Sequence, residues 1–183
     1  MSAIIPNKLL KFGQPVGSVY QQCFVATDIY ESMAQFSRNL RIGPWFLFEP
    51  YKFLEAEYLG KPAKAEIKIA LSFSGHINIE LIQQVNNAPS MYQDITKRGG
   101  GFHHFGVSSV TFEDDVRAQT KLGNREVFRA TNLRGARLAY FETDAKFGGM
   151  VEIVEFVEAQ EEFYNKMFEA ARDPSAVGTI VRL

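Results

Sequence analysis

The chain has 183 residues, of which 46% are hydrophobic and 22% are charged. Its 20 basic and 21 acidic side chains give a formal net charge of −1, which argues against a nucleic-acid partner or an anionic membrane surface. The single cysteine, Cys23, excludes an internal disulfide and a cysteine-rich metal cluster. We find neither a run of about 18 apolar residues nor a signal peptide, and therefore expect a cytoplasmic protein without membrane contacts.

The first half alternates strand-like and helix-like patterns after an irregular lead-in at residues 1–17. A β-prone run at 19–26 is followed by a helix, which Asp28 and Glu31 begin as a capping box. The pair Gly43-Pro44 ends this helix. Extended runs are then predicted at 45–49, 53–58, 65–73 and 77–83.

The second half repeats this plan, with Thr111 predicted to cap a helix after its first strand. Its strands are predicted at 102–108, 125–130, 136–142 and 150–156. We therefore predict a single α+β domain over residues 1–183, built from two tandem β-α-β-β-β modules and a C-terminal helix. The modules cover about 18–85 and 102–157, joined by a linker at 86–101, and the helix covers about 158–172.

Each half contains a glutamate between two apolar residues at the same place, Glu80 in the first and Glu152 in the second. Since strand side chains alternate faces, both carboxylates point away from the helix-covered face, where Gln21 and His104 can join them. Two desolvated carboxylates are costly unless a cation compensates them, and mixed O/N ligands suit Zn, Ni, Co, Mn or Mg. The alternative is a solvated sheet face on which both glutamates are ordinary surface residues.

Neighbouring residues leave the ligand assignment open at two places. His103 and His104 are expected to face opposite sides of one strand, so at most one of them is a ligand. The same ambiguity applies to Gln21 and Gln22. Cys23 is predicted to be a buried structural thiol rather than a nucleophile.

The paired modules resemble the vicinal oxygen chelate superfamily, which includes glyoxalase I, methylmalonyl-CoA epimerase, extradiol dioxygenases and drug-binding resistance proteins. The resemblance covers about residues 18–157 and implies a curved eight-stranded mixed sheet around a metal cleft, with Gln21, Glu80, His104 and Glu152 as the metal ligands. The matching segments are Gln21 with Thr27-Asp28, Leu40 to Trp45, Ile79 to Leu81, Phe102 to Phe105, and Gly149 to Ile153.

The resemblance implies a metal-dependent isomerase, epimerase or lyase that acts on a small carbonyl compound. Protons would move through a metal-stabilised enediolate or enolate, with Glu152 as the preferred catalytic base and Glu80 as the second candidate. The chain departs from the epimerases near Lys64, where their separate catalytic glutamate would fall. The glutathione-contacting arginines of glyoxalase I have no clear counterpart either.

Other functions stay open at this point. A metal-free, drug-type binding protein would use the same cleft without a ligand set. An extradiol-type dioxygenase needs two histidines and a carboxylate, and Gln21 stands where the first histidine should be. A hydrolase that uses a metal-bound water is a further alternative, and the resemblance also leaves a homodimer open.

Overall fold

The computed structural model describes residues 8–183. Within them, eleven strands form one mixed sheet. In chain order the strands are β1 (Val19–Val25), β2 (Trp45–Tyr51), β3 (Phe53–Tyr58), β4 (Lys61–Pro62), β5 (Ile67–Ser74), β6 (Ile77–Gln84), β7 (Gly101–Ser109), β8 (Arg125–Asn132), β9 (Arg137–Glu142), β10 (Met150–Glu155) and β11 (Ile180–Arg182). The helices are α1 (Ile29–Leu40), α2 (Gln93–Lys97), α3 (Phe112–Lys121) and α4 (Glu158–Ala170).

The strand order across the curled sheet is β11-β2-β5-β6-β1-β7-β10-β9-β8-β3-β4. Strands β1 and β7 pair antiparallel in the middle, and each is parallel to the last long strand of its own half, β6 or β10. Parallel neighbours need a crossover connection, and α1 and α3 lie within those connections. The four central strands are therefore β6, β1, β7 and β10.

The two faces of the sheet are covered by different elements. On the convex face, α1 buries Ile29 and Met33 against β6, and α3 buries Phe112 and Val116 against β9 and β10. On the concave face, α4 and the segment before β1 pack over the central strands. This larger apolar cluster includes Leu10, Phe12, Tyr20, Tyr164 and Met167.

Of the two predicted helix caps, Asp28 acts as the N-cap, but the reciprocal bond of a capping box does not form among residues 8–183, where Glu31 Oε1 accepts from Gln35 Nε2 instead. The Asp28 carboxylate accepts hydrogen bonds from the backbone N–H groups of Tyr30 and Glu31, as expected for the start of α1. Thr111 precedes α3, but its side chain makes no capping bond. Its hydroxyl instead donates to the carboxylate of Asp115, 3.2 Å away.

The prediction of α+β modules in a curved mixed sheet is confirmed, but the sheet has three strands more than the predicted eight. The run at 53–58 was expected within the first module. It forms β3, which pairs with β8 at the far edge of the sheet, and β4 extends that edge. Strand β11 adds to β2 at the opposite edge. Local alternation predicts that a segment is extended, but not which strand it joins.

Two segments predicted to be irregular contain more order than expected. Residues 86–101 include the short helix α2 and the buried side chain of Tyr92. Of the lead-in, residues 1–7 lie outside the described residues, whereas Leu10, Phe12 and Val16 are buried. Among residues 8–183, no helix combines the length and the apolar character that crossing a membrane requires.

Candidate metal centre

The four predicted ligand residues lie in two adjacent rows across the four central strands. In one row, Cys23 of β1 pairs with Glu80 of β6 on one side and with His104 of β7 on the other. In the next row, Gly106 of β7 lies between Gln21 of β1 and Glu152 of β10. The sheet register therefore brings residues from both halves of the chain to one place.

Burial shows which side of the sheet these residues occupy. The apolar neighbours of Glu80 pack under α1 and those of Glu152 pack under α3, so both carboxylates lie on the concave face, as predicted. Glu80 is 7% exposed, Glu152 is 4% exposed and His104 is 0% exposed. The alternative prediction, a solvated sheet face with ordinary surface carboxylates, is therefore wrong, because α4 covers this face.

The imidazole of His104 lies between the two carboxylates. Its Nε2 atom is 3.1 Å from Oε2 of Glu152 and 3.5 Å from Oε2 of Glu80. Within residues 8–183, neither His104 Nε2 nor Glu80 Oε2 has a hydrogen-bond partner of acceptable geometry. Buried polar atoms are normally satisfied, so atoms without partners that point at one another mark a place for a further ligand.

The charges around this cluster favour a cation. No lysine or arginine of the described chain pairs with Glu80 or Glu152. Burial raises the pKa of Glu80 well above its usual range, and the nearby carboxylate of Glu152 raises it further. Glu80, His104 and Glu152 each offer a ligand atom within 4.8 Å of the others. This oxygen and nitrogen donor set fits a divalent cation.

We expect the buried carboxylate pair to destabilise the metal-free protein. Because the pKa of Glu80 is raised in the folded state, the unfolded state releases this proton more readily, and stability falls as pH rises above the ordinary carboxyl range. Glu80→Gln removes the ionisable group and with it the fall of stability at higher pH. It should increase the unfolding free energy of the chelator-treated protein by about 1–3 kcal/mol near neutral pH. Urea unfolding at several pH values tests this; a variant no more stable than the native chain at any pH would contradict it.

A hydrogen-bonded chain fixes the amide of Gln21. Its Nε2 donates to Oδ1 of Asn78 at 2.9 Å and to the hydroxyl of Tyr164 at 3.3 Å. Asn78 in turn donates to the carbonyl oxygen of Ser72. The amide oxygen of Gln21 is thereby directed towards Gly106, next to Glu152 in the sheet. Sequence reasoning missed Asn78, although it lies two residues before Glu80 and therefore on the same strand face.

The absence of a side chain at position 106 leaves room for this amide. A Cβ atom on Gly106 would lie 2.8 Å from Oε1 of Gln21, so Gly106→Ala must displace the amide. We expect about a 10–100-fold loss of metal affinity and a destabilisation of about 1–3 kcal/mol. A metal-competition titration measures the first effect. Gln21→Ala should lower the metal affinity by a similar factor, and the double variant should bind metal no more weakly than either single variant. Full additivity of the two effects would contradict the claim that both substitutions act through the Gln21 amide.

The expectation that His103 and His104 face opposite sides of the strand is wrong. The pairing of β1 with β7 shifts by one residue between Cys23–His104 and Phe24–Phe102, which makes His103 the extra residue of a β-bulge. Both rings therefore lie on the concave side, with their Nδ1 atoms 2.8 Å apart. Regular alternation fails at a bulge, and the sequence pattern does not reveal one here.

This contact separates the roles of the two histidines. A hydrogen bond between the Nδ1 atoms requires one of them to carry the proton, and if His104 carries it, its Nε2 is free to bind a cation. Burial, followed by the proximity of His104, lowers the pKa of His103 well below its usual range, so its ring is neutral. His103 is thus placed to orient His104.

Cys23, His103 and His104 form a second group with ligand atoms within 4.8 Å of one another. Burial raises the pKa of the Cys23 thiol well above its usual range, so the sulfur carries no charge at neutral pH. This group contains no carboxylate, whereas the other group contains two, Glu80 and Glu152. The predicted buried thiol is found, and the carboxylate group is the stronger candidate for a cation.

The cavity above the carboxylates is small and partly covered by α4. It has about 30 Å³ of free space, enough for one or two water molecules. Phe163 and Tyr164 of α4 line it, so this helix both packs on the sheet and covers the cleft. His76 is remote from it: it lies in the turn before β6, with Nδ1 2.7 Å from the carbonyl oxygen of Phe12.

A larger cavity of about 530 Å³ lies beside the small one. Tyr51, Phe53 and Tyr92 line both cavities and separate them. Lys64 and Glu66, where the epimerase glutamate was expected, line the large cavity and not the small one. A ligand that reaches from one cavity into the other has to displace an aromatic side chain.

Solved structures share this fold at low sequence identity. A hypothetical protein from Bacillus halodurans C-125 is 22% identical, with a TM-score of 0.56 over 77% of this chain and 95% of its own. Methylmalonyl-CoA epimerase from Mycobacterium tuberculosis is 14% identical, with a TM-score of 0.54 over 86% of this chain and 93% of its own. A Streptomyces coelicolor methylmalonyl-CoA epimerase variant in complex with 2-nitronate-propionyl-CoA is 12% identical, with a TM-score of 0.53 over 79% and 97%.

No curated protein matches the sequence. Residues 20–141, about two thirds of the chain, match the family described as the glyoxalase/bleomycin resistance protein/dioxygenase superfamily. This match and the shared fold agree with the predicted resemblance to the vicinal oxygen chelate proteins. The chain belongs to the glyoxalase/bleomycin resistance protein/dioxygenase superfamily.

Proposed function

We propose that this protein is a metal-dependent isomerase, epimerase or lyase that transfers a proton at the carbon next to a carbonyl group of a small compound. The observation that carries the proposal is the meeting of Glu80, His104 and Glu152 in a buried cluster, in which Glu80 Oε2 and His104 Nε2 have no hydrogen-bond partner among residues 8–183. Superfamily membership and the fold shared with epimerases support it.

In this proposal the cation is held by Gln21, Glu80, His104 and Glu152. A divalent metal bound there supplies a Lewis acid that polarises a carbonyl oxygen. The metal could be Zn, Ni, Co, Mn or Mg, because the donor set contains oxygen and nitrogen without favouring one of them.

The chain itself supplies the base and a largely aromatic surrounding. Burial raises the pKa of Glu80, and both Glu80 and Glu152 lie in the cavity wall, where a carboxylate can accept a proton from a bound compound. We assign proton transfer to Glu152, as the family resemblance implies, with Glu80 as the second candidate. The aromatic side chains of Tyr20, Tyr140 and Tyr164 line the same cavity and limit the space that water can occupy in it.

Deuterium exchange tests this activity without knowledge of the product. The metal-loaded protein is incubated in D₂O with a panel of small ketones, aldehydes, oxo acids and acyl thioesters, and loss of the adjacent C–H signal is followed by NMR. We expect at least one compound to exchange faster with the loaded protein than with the chelator-treated protein. No acceleration with any compound would contradict the proposal.

A metal-free binding protein is the second candidate, and the 530 Å³ cavity favours it. Its walls include Tyr51, Phe53, Tyr58, Tyr92 and Phe128, a surface suited to a flat apolar ligand. This function requires neither carboxylate. Binding of aromatic compounds that is equally tight in the native chain and in the Glu80→Gln/Glu152→Gln variant, together with no metal uptake, would favour it over the enzyme.

A further inference from the structure

Arg134 projects into the cavity that contains the carboxylate cluster. It lies in the turn between β8 and β9 and lines the small cavity together with Glu80 and Glu152. Its guanidinium carbon is 3.5 Å from the ring centre of Phe163 and 5.6 Å from that of Phe48. Stacking on aromatic faces fixes the plane of a guanidinium and leaves its N–H edge free to bind another group.

This guanidinium has no acidic partner within the described chain. Arg125, Arg129 and Arg137, which belong to the same half of the sheet, each form an ion pair with a glutamate. For Arg134, residues 8–183 provide neither a carboxylate within 4.0 Å nor an acceptor for its side-chain N–H groups. Burial lowers the pKa of Arg134, but an arginine side chain stays charged at any physiological pH.

The charge balance of the cavity indicates what the free N–H edge binds. Among the side chains that line it, the charged ones are Glu80, Glu152 and Arg134. A divalent cation would balance the two carboxylates and leave the positive charge of Arg134 uncompensated. One additional negative charge would bring the sum of these charges to zero, which lowers the cost of holding them partly out of water.

We propose that Arg134 binds the carboxylate of the substrate, so that the substrate class is a small oxo acid. This inference rests on the proposed function, since it assigns the carbonyl group to the metal side of the cavity and the carboxylate to the arginine side. A guanidinium matches a carboxylate through two parallel N–H···O bonds. Because the free space is only about 30 Å³, side chains that line the cavity must move for the acid to enter.

The test compares acids with neutral analogues of nearly the same shape. The zinc-loaded protein is titrated by calorimetry with pyruvate, acetoacetate and 4-oxopentanoate, and with the methyl ester of each. We expect at least one acid to bind tenfold or more tightly than its ester. Arg134→Gln should abolish this preference and leave the affinity for the ester unchanged, and Arg134→Lys should retain part of it.

Arg125→Gln is the matched control, since Arg125 is an exposed, ion-paired arginine that does not line the cavity. It should keep the preference for the acid. Zinc content is measured for every variant and should not change with Arg134→Gln. Equal binding of acids and esters by the native protein, no binding of any acid, or an undiminished preference in Arg134→Gln would each overturn the proposal.

These outcomes are separate from a failure of the proposed function, because the titration requires no turnover. A preference for the acid that depends on Arg134, without deuterium exchange, would refute the isomerase or lyase activity alone. Deuterium exchange of neutral ketones without a preference for acids would refute the role of Arg134 alone.

Discussion

Glu152→Gln is expected to lower the rate of deuterium exchange by about 10²–10⁴-fold, the range that a positioned general base contributes. Glutamine has the same shape as glutamate but cannot accept a proton at neutral pH. Glu152 is 4% exposed on the concave face, and its Oε2 atom lies 3.1 Å from Nε2 of His104. The exchange rate is measured by NMR. The metal is kept at a saturating concentration, so that a lower metal affinity of the variant does not itself reduce the rate.

Glu155→Gln is the matched control for this variant, because Glu155 lies on the same strand but pairs with Arg137. It should retain the native exchange rate. An unchanged rate in Glu152→Gln would remove Glu152 from the mechanism. If Glu80→Gln alone abolished exchange while its metal stayed bound, the base would be Glu80.

His104→Ala is expected to lose the metal, whereas His103→Ala should retain one ion per chain. The Nε2 atom of His104 lies within 3.1–3.5 Å of both carboxylates, whereas His103 contacts the opposite nitrogen of the same ring. Loss of an outer partner costs about 10–100-fold in metal affinity, and we expect a larger loss when the ligand itself is removed. Competition with a chromogenic chelator measures both affinities.

The reverse order of these two effects would move the ligand assignment from position 104 to position 103. Equal losses in both variants would indicate that the two imidazoles act as one unit. Far-UV circular dichroism shows in each case whether the variant has folded. His76→Ala serves as the matched histidine control, because His76 packs against Phe168 away from the cluster.

Strand alternation was sufficient to predict the concave position of Glu80 and Glu152, because each carboxylate is flanked by apolar residues that pack under a helix. Alternation failed at His103, where a bulge inserts one residue and turns a second imidazole to the same face. A bulge depends on the pairing of two strands, and the sequence of β7 alone does not determine that pairing.

Tyr164 and Arg134 could not be assigned to the site from the sequence. Tyr164 reaches Gln21 from α4, 143 residues later in the chain, and Arg134 enters the cavity from a hairpin turn. Neither belongs to a strand in the central rows, so no periodic pattern connects it with the carboxylates. Strand β3 was misplaced for a similar reason, since its partner β8 lies at the far edge of the sheet.

The central claim is that Glu80, His104 and Glu152 hold a divalent ion, and metal content tests it most directly. The native protein and the Glu80→Gln/Glu152→Gln variant are purified in parallel without chelators or metal-affinity resin. The metal content of both is then measured by elemental mass spectrometry. We predict about one divalent ion per native chain and none in the variant. No metal in either protein, even after addition of Zn, Ni, Co, Mn or Mg, would contradict the account.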